Sequence, residues 1–188
     1  SSLYNNNLIK QILWYIMGFL IFFVFKSINN KTIFKYANIL YIVSILLLIY
    51  VLIFGKVING ARAWITIKSI SFQPSELAKL SLAIILSKMA NSFTSTGISS
   101  ELLFIIKVGI LTIIPSLLVF LEPDTGAIIF FLIIAFSILF FSDIHKFWFI
   151  IFFVILGLFC ASFILLYLFN RDLLINLIGT SFFYRVER

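Results

Sequence analysis

A short polar segment between long apolar runs holds the residues best suited to chemistry in this 188-residue chain. It reads NGARAWITIKSISFQPSELAK over residues 59–79 and ends on Glu76 and Lys79. Pro74 suits the first position of a helix, because its missing N–H would have no partner there. Glu76 then lies in the first turn, where the helix dipole stabilises an anion, and Lys79 lies one turn further along the same face. The pair fits either a site that binds an anionic group or a purely structural ion pair.

The loop that leads into this helix is cationic. Residues 56–73 hold Lys56, Arg62 and Lys68 and contain no acidic residue. Arginine forks bind phosphate oxygens in pairs, so these charges favour a ligand that carries phosphate. Attraction to anionic lipid head groups explains the same charges. Trp64 is likewise typical of a side chain that anchors a loop at a membrane interface.

The rest of the chain has the composition of a membrane protein. Hydrophobic residues make up 63% and charged residues 11%, and the mean hydropathy is +1.20. Soluble domains have about 25% charged residues, so the composition predicts an all-α, polytopic helical membrane protein and excludes a soluble enzyme. A bilayer core needs about 20 mostly apolar residues per helix. Six spans approach or exceed this length, at residues 8–27, 36–55, 74–91, 101–121, 126–142 and 146–170.

Charge and alternation of the spans predict an orientation. The lysines around the first loop, Lys26, Lys31 and Lys35, place that loop in the cytoplasm by the positive-inside rule. The loop at 56–73 then lies outside the cell. We expect one incomplete membrane domain over residues 1–188, with 56–73 as an external functional loop and 171–188 as the start of a larger external loop.

A second acidic motif, LEPDTGAIIFF, opens another helix at residues 121–131. Asp124 is typical of a residue that caps the helix that follows, and capping alone explains it. Alternation places Asp124 on the same side as Glu76 and Lys79, so the three are expected to converge on one external pocket. The face that continues from Glu76 carries small residues, among them Ala83 and Ser87, and is predicted to face the bundle interior.

Taken in order, these motifs resemble the SEDS family of bacterial wall-synthesis proteins, whose named branches are RodA, FtsW and SpoVE. The resemblance rests on NGARAWI, then ISFQPSELAKL, then EPDTGAIIFF followed by LFFSD. Each piece is weak alone, but the ordered set is specific and covers the middle third of the chain. KQILWYIMG near the start and FYRVER at the end are also similar to stretches of that family.

The resemblance implies a peptidoglycan glycosyltransferase of the bacterial inner membrane, which polymerises lipid II with inversion in cell elongation or division. Its implied partners are lipid II, a class B penicillin-binding protein and membrane lipids, and no nucleic acid. The resemblance also implies that the chain lacks the family's first helix and its C-terminal half. The main catalytic base would lie in that missing half, so the chain alone is expected to be inactive or incomplete.

The resemblance also assigns roles to the charged residues. Lys79 would stabilise the leaving pyrophosphate, and Glu76 would orient Lys79. Asp124 would position the acceptor sugar or help to hold a divalent cation, Mg or Mn, the single cofactor expected. Glu76, Lys79 and Asp124 are thus the candidate catalytic residues. The candidate substrate-binding residues are Arg62, Trp64, Lys68, Gln73 and Ser75.

Two other classes of function fit the same residues. A flippase for a lipid-linked precursor, or an ion-coupled transporter, could use an intramembrane Glu76–Lys79 pair. Charges that gather at one membrane face favour the transferase over a carrier. A non-catalytic scaffold or remnant is the third alternative.

Overall fold

The computed structural model describes residues 2–58, 61–67, 70–122 and 124–169. The chain divides into two compact units, residues 1–143 and 144–188, and each is described by itself. The first unit contains α1 (Ser2–Lys26), α2 (Asn30–Phe54), β1 (Lys56–Ile58), β2 (Ala61–Ile67), β3 (Ile70–Phe72), α3 (Pro74–Asn91), α4 (Ile98–Leu121) and α5 (Thr125–Phe141). The described part of the second unit contains α6 (Phe147–Phe169).

Three of the described helices have the length and polarity that a bilayer requires. Helices α2, α4 and α6 are each long and apolar enough to cross a membrane. Shorter apolar stretches lie in α1 (Trp14–Lys26) and α5 (Gly126–Phe141). The prediction of a polytopic helical membrane protein is confirmed. The described helices overlap the six predicted spans, although α1, α2 and α4 begin earlier than expected, at Ser2, Asn30 and Ile98.

Polar contacts show which helix ends lie together in the first unit. At one end, Lys88 Nζ near the end of α3 donates to Asn38 Oδ1 in α2 at 3.1 Å. At the same end, the Ser95 amide before α4 donates to Asp143 Oδ2 just after α5, also at 3.1 Å. We call this the lysine end; it comprises the starts of α2 and α4 and the ends of α3 and α5. The opposite end, with the starts of α3 and α5, is called the motif end.

The buried face of α3 differs from the one that the sequence predicted. Leu82 and Leu86 are fully buried, and α3 lies against α2 and α5. Glu76 is exposed, while Ala83 and Ser87 are only half-buried. The expectation that the small-residue face packs into the interior of this unit was therefore wrong. The buried face combines the small residues Ala78 and Ser81 with Leu82 and Leu86. In a bilayer, the close packing of such a mixed face against its neighbours sets the rotation of the helix.

A tyrosine hydroxyl compensates for the proline inside α4. Pro115 is buried and has no N–H, so the carbonyl of Leu111, four residues earlier, loses its helical donor. Tyr41 Oη in α2 donates to that carbonyl oxygen at 2.7 Å. An unsatisfied backbone carbonyl is costly inside a bilayer, so this hydrogen bond joins α2 to α4 at the point where α4 is weakest.

We expect Tyr41→Phe to lower the free energy of unfolding in detergent micelles by about 1 kcal/mol, because it leaves the Leu111 carbonyl unpaired. In a Pro115→Ala background the alanine N–H can bond this carbonyl, so the same substitution should cost clearly less. Thermal unfolding of the four variants measures the difference. An equal cost in both backgrounds would show that Tyr41 acts through packing instead.

Residues 56–58, 61–67 and 70–72 form a small sheet where the sequence suggested a loop. Its three strands are antiparallel in the order β1-β2-β3, and β2 lies against α2 and α3. Ala63 in β2 is buried, which lets the strand approach the helices closely. Gly55 makes the turn from α2 into β1 possible, because a Cβ at this position would overlap the Val51 carbonyl oxygen. The sheet therefore rests on the motif end of the helices.

Candidate functional site

One side-chain hydrogen bond holds the starts of α3 and α5 side by side. Gln73 Nε2, just before α3, donates to Asp124 Oδ2 at 2.7 Å. The other carboxylate oxygen, Asp124 Oδ1, accepts from the Ala127 amide at 3.4 Å and so caps α5. The predicted capping role is therefore present, and it is combined with a contact between helices. The positive ends of both helix dipoles point toward the same place, which favours an anion there.

The second contact between these helices involves the predicted ion pair. Lys79 Nζ lies 2.8 Å from Glu76 Oε1. The same ammonium lies 4.8 Å from the ring centroid of Phe130 in α5. The Lys79 side chain is 19% exposed, whereas that of Glu76 is 60% exposed. The lysine is thus held between two helices with its charge partly removed from solvent, where its interaction with an anion is stronger than in bulk water.

A buried carboxylate at this end was not singled out from the sequence. Glu122, at the end of α4, is fully buried, and neither of its carboxylate oxygens has a hydrogen-bond partner. Burial, together with the nearby charge of Asp124, raises the pKa of Glu122 to about 7. The signal in the sequence was an acid placed directly after the apolar run of α4, where a helix end brings it against its neighbours.

The remaining predicted residues lie in different surroundings. Arg62 is exposed on β2 and has no ion-pair partner among the described residues. Trp64 is half-buried on the same strand, and side chains two residues apart share a strand face. Lys68 lies outside the described residues. Ser75 is fully buried and its hydroxyl has no partner, which argues against direct contact with a substrate in this conformation.

Comparison with known proteins places these motifs in a family. Residues 2–181 match the family of FtsW, RodA and SpoVE, described as cell cycle proteins. The chain belongs to this SEDS family. The match extends well beyond the motifs and confirms the resemblance that they carry.

Relatives and solved structures agree with this assignment. The chain is 36% identical over 140 residues to "Probable peptidoglycan glycosyltransferase FtsW" of Buchnera aphidicola subsp. Baizongia pistaciae, which covers 73% of the chain and 37% of the relative. It is 32% identical over 134 residues to "Peptidoglycan glycosyltransferase MrdB" of Escherichia coli K12, covering 68% of the chain and 34% of the relative. The chain therefore spans between a third and two fifths of the length of these relatives.

Two solved structures share the fold. One belongs to a study of "Structural coordination of polymerization and crosslinking by a peptidoglycan synthase complex", with a TM-score of 0.69, 29% identity, 90% of this chain and 50% of that chain covered. The other is RodA of Thermus thermophilus, with a TM-score of 0.62, 31% identity, and 78% and 46% of the two chains covered. This SEDS chain thus shares its fold with RodA of Thermus thermophilus.

The described residues of this SEDS chain do not form a ready metal site. They contain no group of three or more His, Cys, Asp or Glu side chains that could hold a metal ion. Both carboxylate oxygens of Asp124, the predicted ligand, already accept hydrogen bonds. Magnesium prefers an octahedral set of oxygen ligands, which this arrangement does not supply. The divalent cation therefore stays a prediction, and no step of the chemistry is assigned to it.

Proposed function

We propose that the protein containing this chain is a peptidoglycan glycosyltransferase that polymerises lipid II in the bacterial cytoplasmic membrane. The relatives named above carry this activity in their names, and the motif end carries a cation suited to it. The observation that supports the proposal most is the Lys79 ammonium held between α3 and α5 by Glu76 and Phe130.

At the motif end, the main requirement of the reaction is stabilisation of the leaving group. In an inverting transfer, an acceptor hydroxyl attacks the anomeric carbon of the donor sugar, and the bond from that carbon to the pyrophosphate oxygen breaks. Negative charge then builds on the pyrophosphate, where Lys79 and the two helix starts would stabilise it. Glu76 would keep Lys79 in place before substrate binds. Exposed Arg62 would bind the pyrophosphate or the part of the lipid next to it. Trp64 lies beside Arg62 on the sheet.

The roles of Gln73 and Asp124 follow from their mutual hydrogen bond. That bond fixes the start of α5 against the start of α3, and so fixes Phe130 relative to Lys79. We propose that Asp124 acts mainly as a positioning residue, and that the proton of the acceptor hydroxyl goes to a base outside this chain. The chain would then supply part of the donor site and would not polymerise lipid II by itself.

The proposed orientation places the motif end outside the cell. The test uses intact cells that express the full-length protein with Cys160→Ser and with any cysteine outside these 188 residues also replaced. A single cysteine is then introduced at Lys31 or at exposed Ser71. We expect a membrane-impermeant thiol reagent to label position 71 at once, and position 31 only after permeabilisation. Labelling at 31 but not at 71 in intact cells would reverse the orientation and the assignment of the site to the outer face.

The partner proposal has separate support. One of the two solved structures above comes from a complex that coordinates polymerisation with crosslinking. We propose that the full-length protein likewise pairs with a class B penicillin-binding protein, which crosslinks the strands that it makes.

A reconstituted assay separates the transferase from the flippase and carrier alternatives. Full-length protein in vesicles with labelled lipid II should produce glycan strands, and the chain of residues 1–188 alone should produce none. Movement of lipid II between leaflets without polymer would support the flippase. Strands made by the isolated chain would show that the base lies within it.

A further inference from the structure

We infer that the groove between the end of α3 and the start of α4, at the lysine end, binds an anionic glycerophospholipid whose phosphate contacts Lys107. This site lies at the other end of the bundle from the candidate active site. It does not depend on the proposed transferase activity.

The groove is open to its surroundings and has a volume of about 310 Å³. Its lining includes a stacked pair of rings, Phe93 and Phe104, whose centroids lie 4.2 Å apart at an interplanar angle of 12°. Met89 and Leu103 form apolar walls, and Lys107 lies on the lining. This volume is at the small end of the range for ligand pockets, so it suits one portion of a lipid rather than a whole molecule.

The charge on Lys107 is what points to an anionic occupant. Lys107 lies nine residues after Ile98, about 14 Å along α4 from its start. It is exposed and has neither an acidic nor a hydrogen-bonding partner in the part of the chain that the structure describes. An unpaired ammonium within a membrane span is costly. The side chain therefore needs a counter-ion from its surroundings, and it can extend toward the head groups to reach one.

The carboxylates of the lysine end are engaged elsewhere. Glu101 is fully buried and accepts a hydrogen bond from Ser95 Oγ. Asp143 accepts from the Ser95 amide at 3.1 Å. Neither forms an ion pair with Lys107. The abundant anion at a membrane interface is lipid phosphate, and near the surface each lysine adds to the attraction for anionic lipids.

The apolar surroundings favour a lipid over a soluble anion. Leu103, Ile106 and Ile110, on the α4 surface beside Lys107, are all exposed. A lipid whose phosphate pairs with Lys107 would therefore lay an acyl chain over this surface and into the groove. The two serines of the groove already donate within the chain, Ser92 to Lys88 and Met89 carbonyls and Ser100 to the Gly97 carbonyl. Lys107 thus favours a lipid with a net negative charge over a neutral one, whose own cation already balances its phosphate.

In the test, phosphatidylglycerol or phosphatidylcholine is added to purified full-length protein in detergent. Native mass spectrometry then counts the lipids that stay bound. We expect the wild type to retain phosphatidylglycerol preferentially. Lys107→Ala should bind it about fivefold more weakly, and Lys107→Arg should keep it. Lys35→Ala is the matched control, since Lys35 is an exposed lysine of the same end that lies over Tyr36 rather than at the groove. This control should retain the preference.

Leu103→Trp tests the role of the groove independently, because the larger side chain fills the groove and leaves the charge of Lys107 unchanged. It should also lower phosphatidylglycerol retention. Equal retention of both lipids by the wild type, or an undiminished preference in Lys107→Ala, would overturn the inference. Displacement of the lipid by inorganic phosphate would instead indicate a soluble-anion site. A dimer that Leu103→Trp disrupts would show that a second copy covers the groove.

Discussion

Glu76→Ala and Lys79→Ala are each expected to lower lipid II polymerisation by the full-length protein by about 100-fold or more. Lys79→Ala removes the cation that would face the leaving pyrophosphate. Glu76→Ala leaves the Lys79 ammonium, which is 19% exposed, without its acidic partner and free to leave the space between α3 and α5. Since both substitutions disable the same ion pair, the double variant should polymerise lipid II little more slowly than either single variant.

The comparison requires variants that fold. Lys88→Ala is the matched control, because Lys88 lies on the same helix but bonds Asn38 at the lysine end. It should retain most of the activity. Losses at Glu76 and Lys79 that add fully in the double variant would show that the residues act separately, and the proposed positioning role of Glu76 would then be wrong.

Glu122→Gln is expected to abolish a pH dependence of stability that the wild type shows between about pH 4.5 and pH 7. Burial and Asp124 raise the pKa of Glu122 from 4.5 to about 7 in the folded protein. The folded state therefore holds the proton more tightly than the unfolded state does. The free energy of unfolding is therefore highest below pH 4.5 and falls by on the order of 3 kcal/mol as the pH rises through 7. Glutamine keeps the shape without the charge, so its profile should be flat in this window.

The midpoint of thermal unfolding in detergent, measured from pH 4 to pH 8.5, tests this prediction. Glu101→Gln is the control, because Glu101 is also a fully buried acid but has a hydrogen-bond partner in Ser95. It should keep the fall in stability through pH 7. A wild type whose stability rises over this range, or a Glu122→Gln variant with the same slope, would show that Glu122 is charged in the folded state.

The features that the sequence predicted well depend on short-range rules. Bilayer thickness sets the length of α4 and α6, and Pro74 and Asp124 mark helix starts through local backbone chemistry. The pairing of Glu76 with Lys79 follows from helical spacing alone. Each of these required only a few consecutive residues.

The features that it missed depend on packing between elements. Which face of α3 is buried follows from how Leu82 and Leu86 fit against α2 and α5, which no pattern in α3 reveals. Two strands of the sheet, β1 and β3, have only three residues each, which is too short for a clear alternation of polar and apolar residues. The hydrogen bond of Gln73 with Asp124 joins residues far apart in the chain, so their spacing could not predict it. The lack of hydrogen-bond partners for the Glu122 carboxylate likewise depends on how the helices pack around it.

The most direct test of the site is the structure of the full-length protein with lipid II bound. Lys79 Nζ should lie within about 3 Å of a pyrophosphate oxygen, at the motif end between the starts of α3 and α5. The Gln73–Asp124 hydrogen bond should persist beside it. A pyrophosphate bound at the lysine end, or out of hydrogen-bonding reach of Lys79 at the motif end, would contradict the proposed donor site.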